Sequence, residues 1–180
     1  VLGVVGGVAG FLAAMFGIQD VTEEQAAAGV SVVDHLDRAR YHASFLMGLV
    51  SVVALFLASS AWRRWAEQRA PRDVAARTIG TALGAVATVN IVFACLAGSM
   101  ALYLPGGTDH GWMSKEALFV NFTLLDFGQL LGWWGGIVAA ACVASLALRR
   151  ERVLPRWMGV FSIVAMLPPL AMAAVMALPG

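Results

Sequence analysis

Residues 41–62 read YHASFLMGLVSVVALFLASSAW and run straight into Arg63-Arg64. Apart from the phenol of Tyr41 and the imidazole of His42, the stretch carries no titratable side chain. At 1.5 Å of helical rise per residue it covers about 33 Å, close to the thickness of a bilayer's hydrocarbon core. Four more charge-poor stretches accompany it: Val1–Ile18, Thr78–Tyr103, Ala117–Leu148 and Trp157–Leu178. The expected fold is therefore all-α, a polytopic transmembrane helix bundle of five spans forming a single membrane domain over residues 1–180. The first span shows no basic n-region and no small-residue cleavage pattern before Gln19-Asp20, so it reads as a membrane helix rather than a secretory signal. The fourth is too long for one crossing and is expected to tilt or to project on one side.

Composition points the same way. Of the 180 residues 60% are hydrophobic and 13% charged, and the mean hydropathy is +0.79. A soluble domain has about a quarter of its residues charged, so this chain has too little charge to cover a water-facing surface, which argues against a soluble enzyme. It is equally far from the low-hydrophobicity, high-charge composition of disordered chains. A net charge of +1 leaves no basic excess for a nucleic-acid partner. Eleven of the 12 basic residues are Arg, the exception being Lys115, as suits a GC-rich bacterial genome. Cys95 and Cys142 lack CxxC spacing and read as small buried hydrophobes.

Orientation follows from the placement of Arg and Lys. Arg63, Arg64, Arg69, Arg72 and Arg77 follow span two; Arg149, Arg150, Arg152 and Arg156 follow span four. Both loops are expected on the cytoplasmic side of a bacterial plasma membrane, with the N-terminus inside and the C-terminus outside. The opposite loops hold Arg38, Arg40 and Lys115 against Asp20, Glu23, Glu24, Asp34, Asp37, Asp109 and Glu116. Trp62, Trp65 and Trp157 would mark the inner interface, and Tyr41, Tyr103 and Trp112 the outer one. Between spans one and two, Thr22-Glu23-Glu24-Gln25 has the form of a capping box. Val30, Val33 and Leu36 follow at helical spacing, predicting a short outer amphipathic helix that runs into span two near Tyr41.

Polar groups inside a bilayer are costly and mark candidate sites. Counted from the nearest inner arginine, Asp126 and His42 lie about 35 and 32 Å deep, near the outer edge of the hydrocarbon, and Asn90 about 20 Å deep. His35 and His42, seven residues apart, would share a face of a continuous helix, with His110 in the loop above. Imidazole and carboxylate suit a divalent metal, so His42, His35, His110 and Asp126 form one candidate site, for a metal or for proton handling. The competing reading pairs Asp126 with His42, Arg38 or Arg40 as interhelical glue. Haem would need a second histidine facing His42 at mid-depth, and none is present. Ser51, Ser59, Ser60 and Ser99 lack an evident base and read as packing or backbone-bonding residues. There is no phosphate-binding glycine loop. Pro168-Pro169 predicts a kink in span five.

The glycines at small-xxx-small spacing, Gly3/Gly7, Gly6/Gly10, Gly80/Gly84 and Gly128/Gly132/Gly136, let helices approach closely. Opposite the Gly128–Gly132–Gly136 ridge, Phe122, Asp126, Gln129 and Trp133 would line a pocket for a lipid-like or amphipathic ligand; bundle packing on both faces is the plainer alternative. The segment Leu154-Pro155-Arg156-Trp157-Met158-Gly159 and the span after it resemble the closing loop and helix of uncharacterised multi-pass proteins of high-GC Gram-positive bacteria. Asn121–Asp126 is similar to the Asn/Asp-containing start of their penultimate helix. The resemblance covers about a third of the chain, implies a small polytopic plasma-membrane protein, and carries over no catalytic residue. The expected role is that of a subunit or partner-binding component of a membrane complex, with other membrane subunits or further copies of itself as partners. The alternative is a membrane enzyme or small transporter using the outer His/Asp site, or a binder of a lipid or hydrophobic cofactor.

Overall fold

The computed structural model describes residues 1–149 and 153–177, without the side chains of residues 26, 127, 129–133, 172 and 175–177. All regular structure among the described residues is helical. In chain order it comprises α1 (Leu2–Gly17), α2 (Glu23–Ala27), a 3₁₀ helix (Gly29–His35), α3 (Arg38–Arg69), α4 (Val74–Tyr103), α5 (Lys115–Leu148) and α6 (Arg156–Ala177). Among the described residues α3 and α4 are long and apolar enough to cross a membrane; the apolar helical stretches Leu2–Gly17, Trp134–Leu148 and Arg156–Ala171 are shorter. α6 keeps helical backbone through Pro168 and Pro169.

Short-range chemistry sets the helix ends. Asp37 caps α3, its carboxylate accepting the Ala39 N–H at 2.8 Å, so the helix begins before the apolar run does. Pro71 follows the end of α3, and Asp73 caps α4 by accepting the Ala76 N–H at 3.2 Å. Ser114 caps α5 in the same way through Ala117, at 3.3 Å. The Glu116 carboxyl lies below its ordinary pKa because its own backbone N–H and the Ser114 hydroxyl hydrogen-bond to it.

The chain divides into two compact units, residues 1–54 with 88–131 and residues 55–87 with 132–180. Three long helices therefore contribute to both. In the first unit α1 is fastened antiparallel to α3 by hydroxyls seven residues apart: Ser44 donates to the Ala13 carbonyl at 2.7 Å and Ser51 to the Gly6 carbonyl at 2.8 Å. Arg40 closes the end of α1, donating to the carbonyls of Ile18 (2.6 Å) and Met15 (3.3 Å) and pairing with Asp20 at 2.8 Å. A cation at a helix C-terminus meets the negative end of the dipole. Arg38 donates to the Gly106 carbonyl at 2.7 Å, and Lys115 pairs with Asp34. The three basic residues on the acid-rich side thus each hold the fold together.

The connection between α1 and α3 corrects the expected amphipathic helix. The capping box forms as read: the Thr22 N–H donates to Gln25 Oε1 at 2.9 Å and the Gln25 N–H to Thr22 Oγ1 at 3.3 Å. The helix it starts is only five residues long, because Gly29 takes a left-handed φ of 61° and stops it. A 3₁₀ turn follows, and Leu36 then adopts extended backbone before α3 begins. Val32 and Val33 are fully buried, in one apolar cluster with Leu36, Tyr41, Ala97, Met100, Leu104, Leu118 and Leu125. The segment is a cap on the first unit's core rather than a helix with a separate apolar face. Tyr41, expected in an aromatic belt, is fully buried in that core.

The second unit is built around small residues. Ala66, Ala70, Ala76, Ile79, Leu146, Ala147 and Leu154 form its core, with Trp62 and Trp65 packed against it, their ring centroids 4.8 Å apart. Ser59 donates to the Gly80 carbonyl at 2.6 Å and the Trp62 indole to the Ala76 carbonyl at 2.7 Å, tying α3 to α4. Arg149 pairs with Asp73 at 2.8 Å.

Candidate functional site

The most organised polar feature of the first unit joins three helices. Asn90 Nδ2 on α4 donates to Ser51 Oγ on α3 at 3.1 Å, and Ser51 in turn donates to the Gly6 carbonyl of α1. Glycine is required beside it: a Cβ on Gly10 would lie 2.9 Å from Ser51 Oγ and 3.5 Å from the Asn90 amide. Asn90 is therefore engaged in joining helices. Ser51→Ala removes the only hydrogen-bond acceptor of the Asn90 amide among the described residues. It should lower stability by about 1–3 kcal/mol, read as a fall in the detergent unfolding midpoint, and part of the loss should return in Ser51→Ala/Asn90→Leu.

A second polar pair links α4 and α5, where Asn121 Nδ2 donates to Ser99 Oγ at 3.0 Å and approaches Met113 Sδ at 3.8 Å. Five residues beyond Asn121 on α5 stands Asp126, half-buried, with half-buried Phe122 packed against the apolar cluster and 6.4 Å from the Phe119 ring. The charges that act on Tyr41 are Asp126 and Arg40. The Tyr41 hydroxyl is buried and has no hydrogen-bond partner among the described residues; Gln19 Nε2 is in the same position. Sequence reasoning missed Tyr41 because tyrosine at a span's end reads as an interface anchor. Its side chain points inward on a helix where successive residues turn by 100°, which leaves neighbouring His42 exposed.

No protein-family model, curated protein or solved structure matches the chain.

The structure does not assemble the His/Asp set expected from the sequence. His35, His42 and His110 are all exposed, and no three His, Cys, Asp or Glu side chains among the described residues could hold a metal ion. The break at Leu36 separates His35 from α3, so His35 and His42 do not share one continuous helix. Of the four residues expected to line a ligand pocket on α5, Phe122 and Asp126 are placed as above. Gln129 and Trp133 lie outside the described side chains, as does Gly132 of the glycine ridge. Gly128 faces α4, where a Cβ would meet the Phe93 ring at 2.6 Å. Around Gly136, Gly3 and Gly7 nothing lies within 4 Å of a Cβ position. Gly80 and Gly84 lie against α3, where they accommodate the Arg63 side chain. Cys95 and Cys142 are free thiols, and Cys95 is exposed rather than buried.

Proposed function

We propose that the chain is a five-crossing protein of the bacterial plasma membrane, with its N-terminus cytoplasmic and its C-terminus outside, acting as a non-catalytic subunit of a membrane assembly. The observation that carries this reading is the charge of the two compact units. Residues 1–54 and 88–131 hold eight acids and three bases, whereas residues 55–87 and 132–180 hold three acids and nine bases, net charges of −5 and +6. A division made by packing alone thus sorts Arg and Lys nine to three, the asymmetry that membrane insertion produces between cytoplasmic and outer sides.

Exposed apolar surface supports the same reading. Only 44% and 28% of the apolar windows of α3 and α4 are buried, whereas a core helix of a soluble protein would be mostly covered. Leu46, Val50, Val53 and Leu57 run as an exposed stripe along α3, and Val160, Phe161, Val164 and Leu167 along α6. Water would penalise such surface by about 25 cal/mol per Å², whereas lipid would not.

Partner contact is assigned to the small residues that internal packing leaves unused, Gly3 and Gly7 on α1 and Gly136 on α5. The test is a native mass spectrum of the protein gently extracted from its own membrane, compared with Gly7→Leu and Gly136→Leu. The wild type should carry the mass of other polypeptides or further copies, and the variants should lose it while keeping their helical content. A lone wild-type chain, or variants that assemble normally, would overturn the subunit reading. A second reading, a small polar ligand held by Asp126, is favoured by the unpartnered Tyr41 hydroxyl, since an unsatisfied buried group is disfavoured by about 1–3 kcal/mol. In the same spectrum it predicts a ligand-sized increment that is absent from Asp126→Asn.

A further inference from the structure

Between α3 and α4 the second unit carries a groove of about 400 Å³ lined by Arg63, Ala66, Glu67, Arg77 and Thr81. Long basic side chains near a membrane surface ordinarily extend toward water. Arg63 stays exposed, but its side chain runs along α4 away from the arginine-rich loop. Its Cγ occupies the space of a Cβ on Gly80, 2.6 Å from that position, with Nε at 3.3 Å. Its Nη2 lies 3.7 Å from the Cβ position of Gly84, one turn further from the arginine-rich loop. The two glycines form a gutter that holds the guanidinium against α4, turned toward the apolar part of the helix.

Neither the Arg63 nor the Arg77 guanidinium forms an ion pair or hydrogen bond among the described residues, although Glu67 stands on the same groove. Two guanidinium groups on facing helices, with a threonine hydroxyl on the same groove, present planar, multidentate donors to a tetrahedral oxyanion. We infer that the groove between α3 and α4 is a phosphate-binding site, with Arg63 and Arg77 as its principal ligands and Thr81 as a supporting donor. The orientation of Arg63 favours the phosphodiester of an anionic lipid headgroup, whose acyl chains would continue along the exposed apolar surface of α3.

The lipid source rests on the membrane reading above; the phosphate chemistry does not. The test uses the full chain in neutral detergent micelles, following the thermal unfolding midpoint while phosphatidylglycerol, phosphatidylcholine or inorganic phosphate is added. Phosphatidylglycerol should raise the midpoint saturably and phosphatidylcholine should not. Arg63→Gln/Arg77→Gln should weaken the apparent affinity by at least about tenfold. Arg69→Gln/Arg72→Gln, with the same net charge but altered outside the groove, should keep it. Circular dichroism and the lipid-free midpoint establish that both variants fold. A midpoint raised equally by millimolar inorganic phosphate, and lost in the groove variant, upholds the site and assigns it to free phosphate. No response to either phosphate probe, or equal loss in both double variants, overturns it, and leaves the topology to its own measurement.

Discussion

Val32→Asp should unseat the cap formed by residues 29–36 and destabilise the first unit by upwards of about 3 kcal/mol, whereas Val30→Asp should change stability by no more than about 1 kcal/mol. Val32 has no exposed surface and shares a cluster with Tyr41, Met100, Leu104 and Leu125. A carboxylate there has neither water nor a cation to meet, and it opens the packing of every neighbour. Val30 is only half-buried. The contrast discriminates between two structures. In an amphipathic helix lying on the membrane, Val30, Val33 and Leu36 would form the apolar stripe, and Val32 would stand at its edge, about 100° from Val33 at its centre. Limited proteolysis between residues 19 and 37, together with the unfolding midpoint, measures the difference. A tolerated Val32→Asp beside a damaging Val30→Asp would restore the surface helix.

Gly107→Ala should be comparably damaging, by about 2–4 kcal/mol, although it adds one methyl group in an exposed connection. Gly107 donates its N–H to the Leu104 carbonyl at 2.8 Å as the chain turns back over the end of α4. A Cβ at Gly107 would overlap the carbonyl oxygen of Leu102 and stand 2.7 Å from its carbon. Backbone atoms at the end of a helix cannot step aside as a flexible side chain can. The turn would have to open, withdrawing Leu104 from the core and the Gly106 carbonyl from Arg38. Gly111→Ala, in the same connection at a φ of 90° but with open space around its Cβ position, is the control for backbone strain alone. A fall in midpoint for Gly107→Ala no larger than for Gly111→Ala would remove the close approach from the account.

The features legible in the sequence are those that depend on neighbours in the chain. The helical class followed from apolar runs that no strand could accommodate, and the Thr22–Gln25 capping box from a spacing of three residues. Gly29 was also a local signal, a glycine closing an alanine-rich turn. It went unread because Val30, Val33 and Leu36 happen to keep helical spacing across the break. What could not be read depends on partners brought together by the fold. The apolar face of residues 32–36 finds its cluster on α4 and α5. Gly80 and Gly84 resemble a helix-docking motif until the α3–α4 hairpin places Arg63 over them. Depth arithmetic put His42 and Asp126 at one level, but depth does not fix the azimuth of a side chain. The inward position belongs to Tyr41.

The five-crossing topology is tested most directly by cysteine accessibility in a Cys95→Ala/Cys142→Ala background, with single cysteines at Glu24, Gln68, Thr108 and Arg156. Glu24 and Thr108 lie in the connections between long helices, Gln68 and Arg156 at the helix ends that flank the other two, and all four are exposed. In intact spheroplasts a membrane-impermeant maleimide should label Glu24→Cys and Thr108→Cys, while Gln68→Cys and Arg156→Cys should react only after permeabilisation. Labelling of all four from one side, or recovery of the protein in the soluble fraction, would contradict the account.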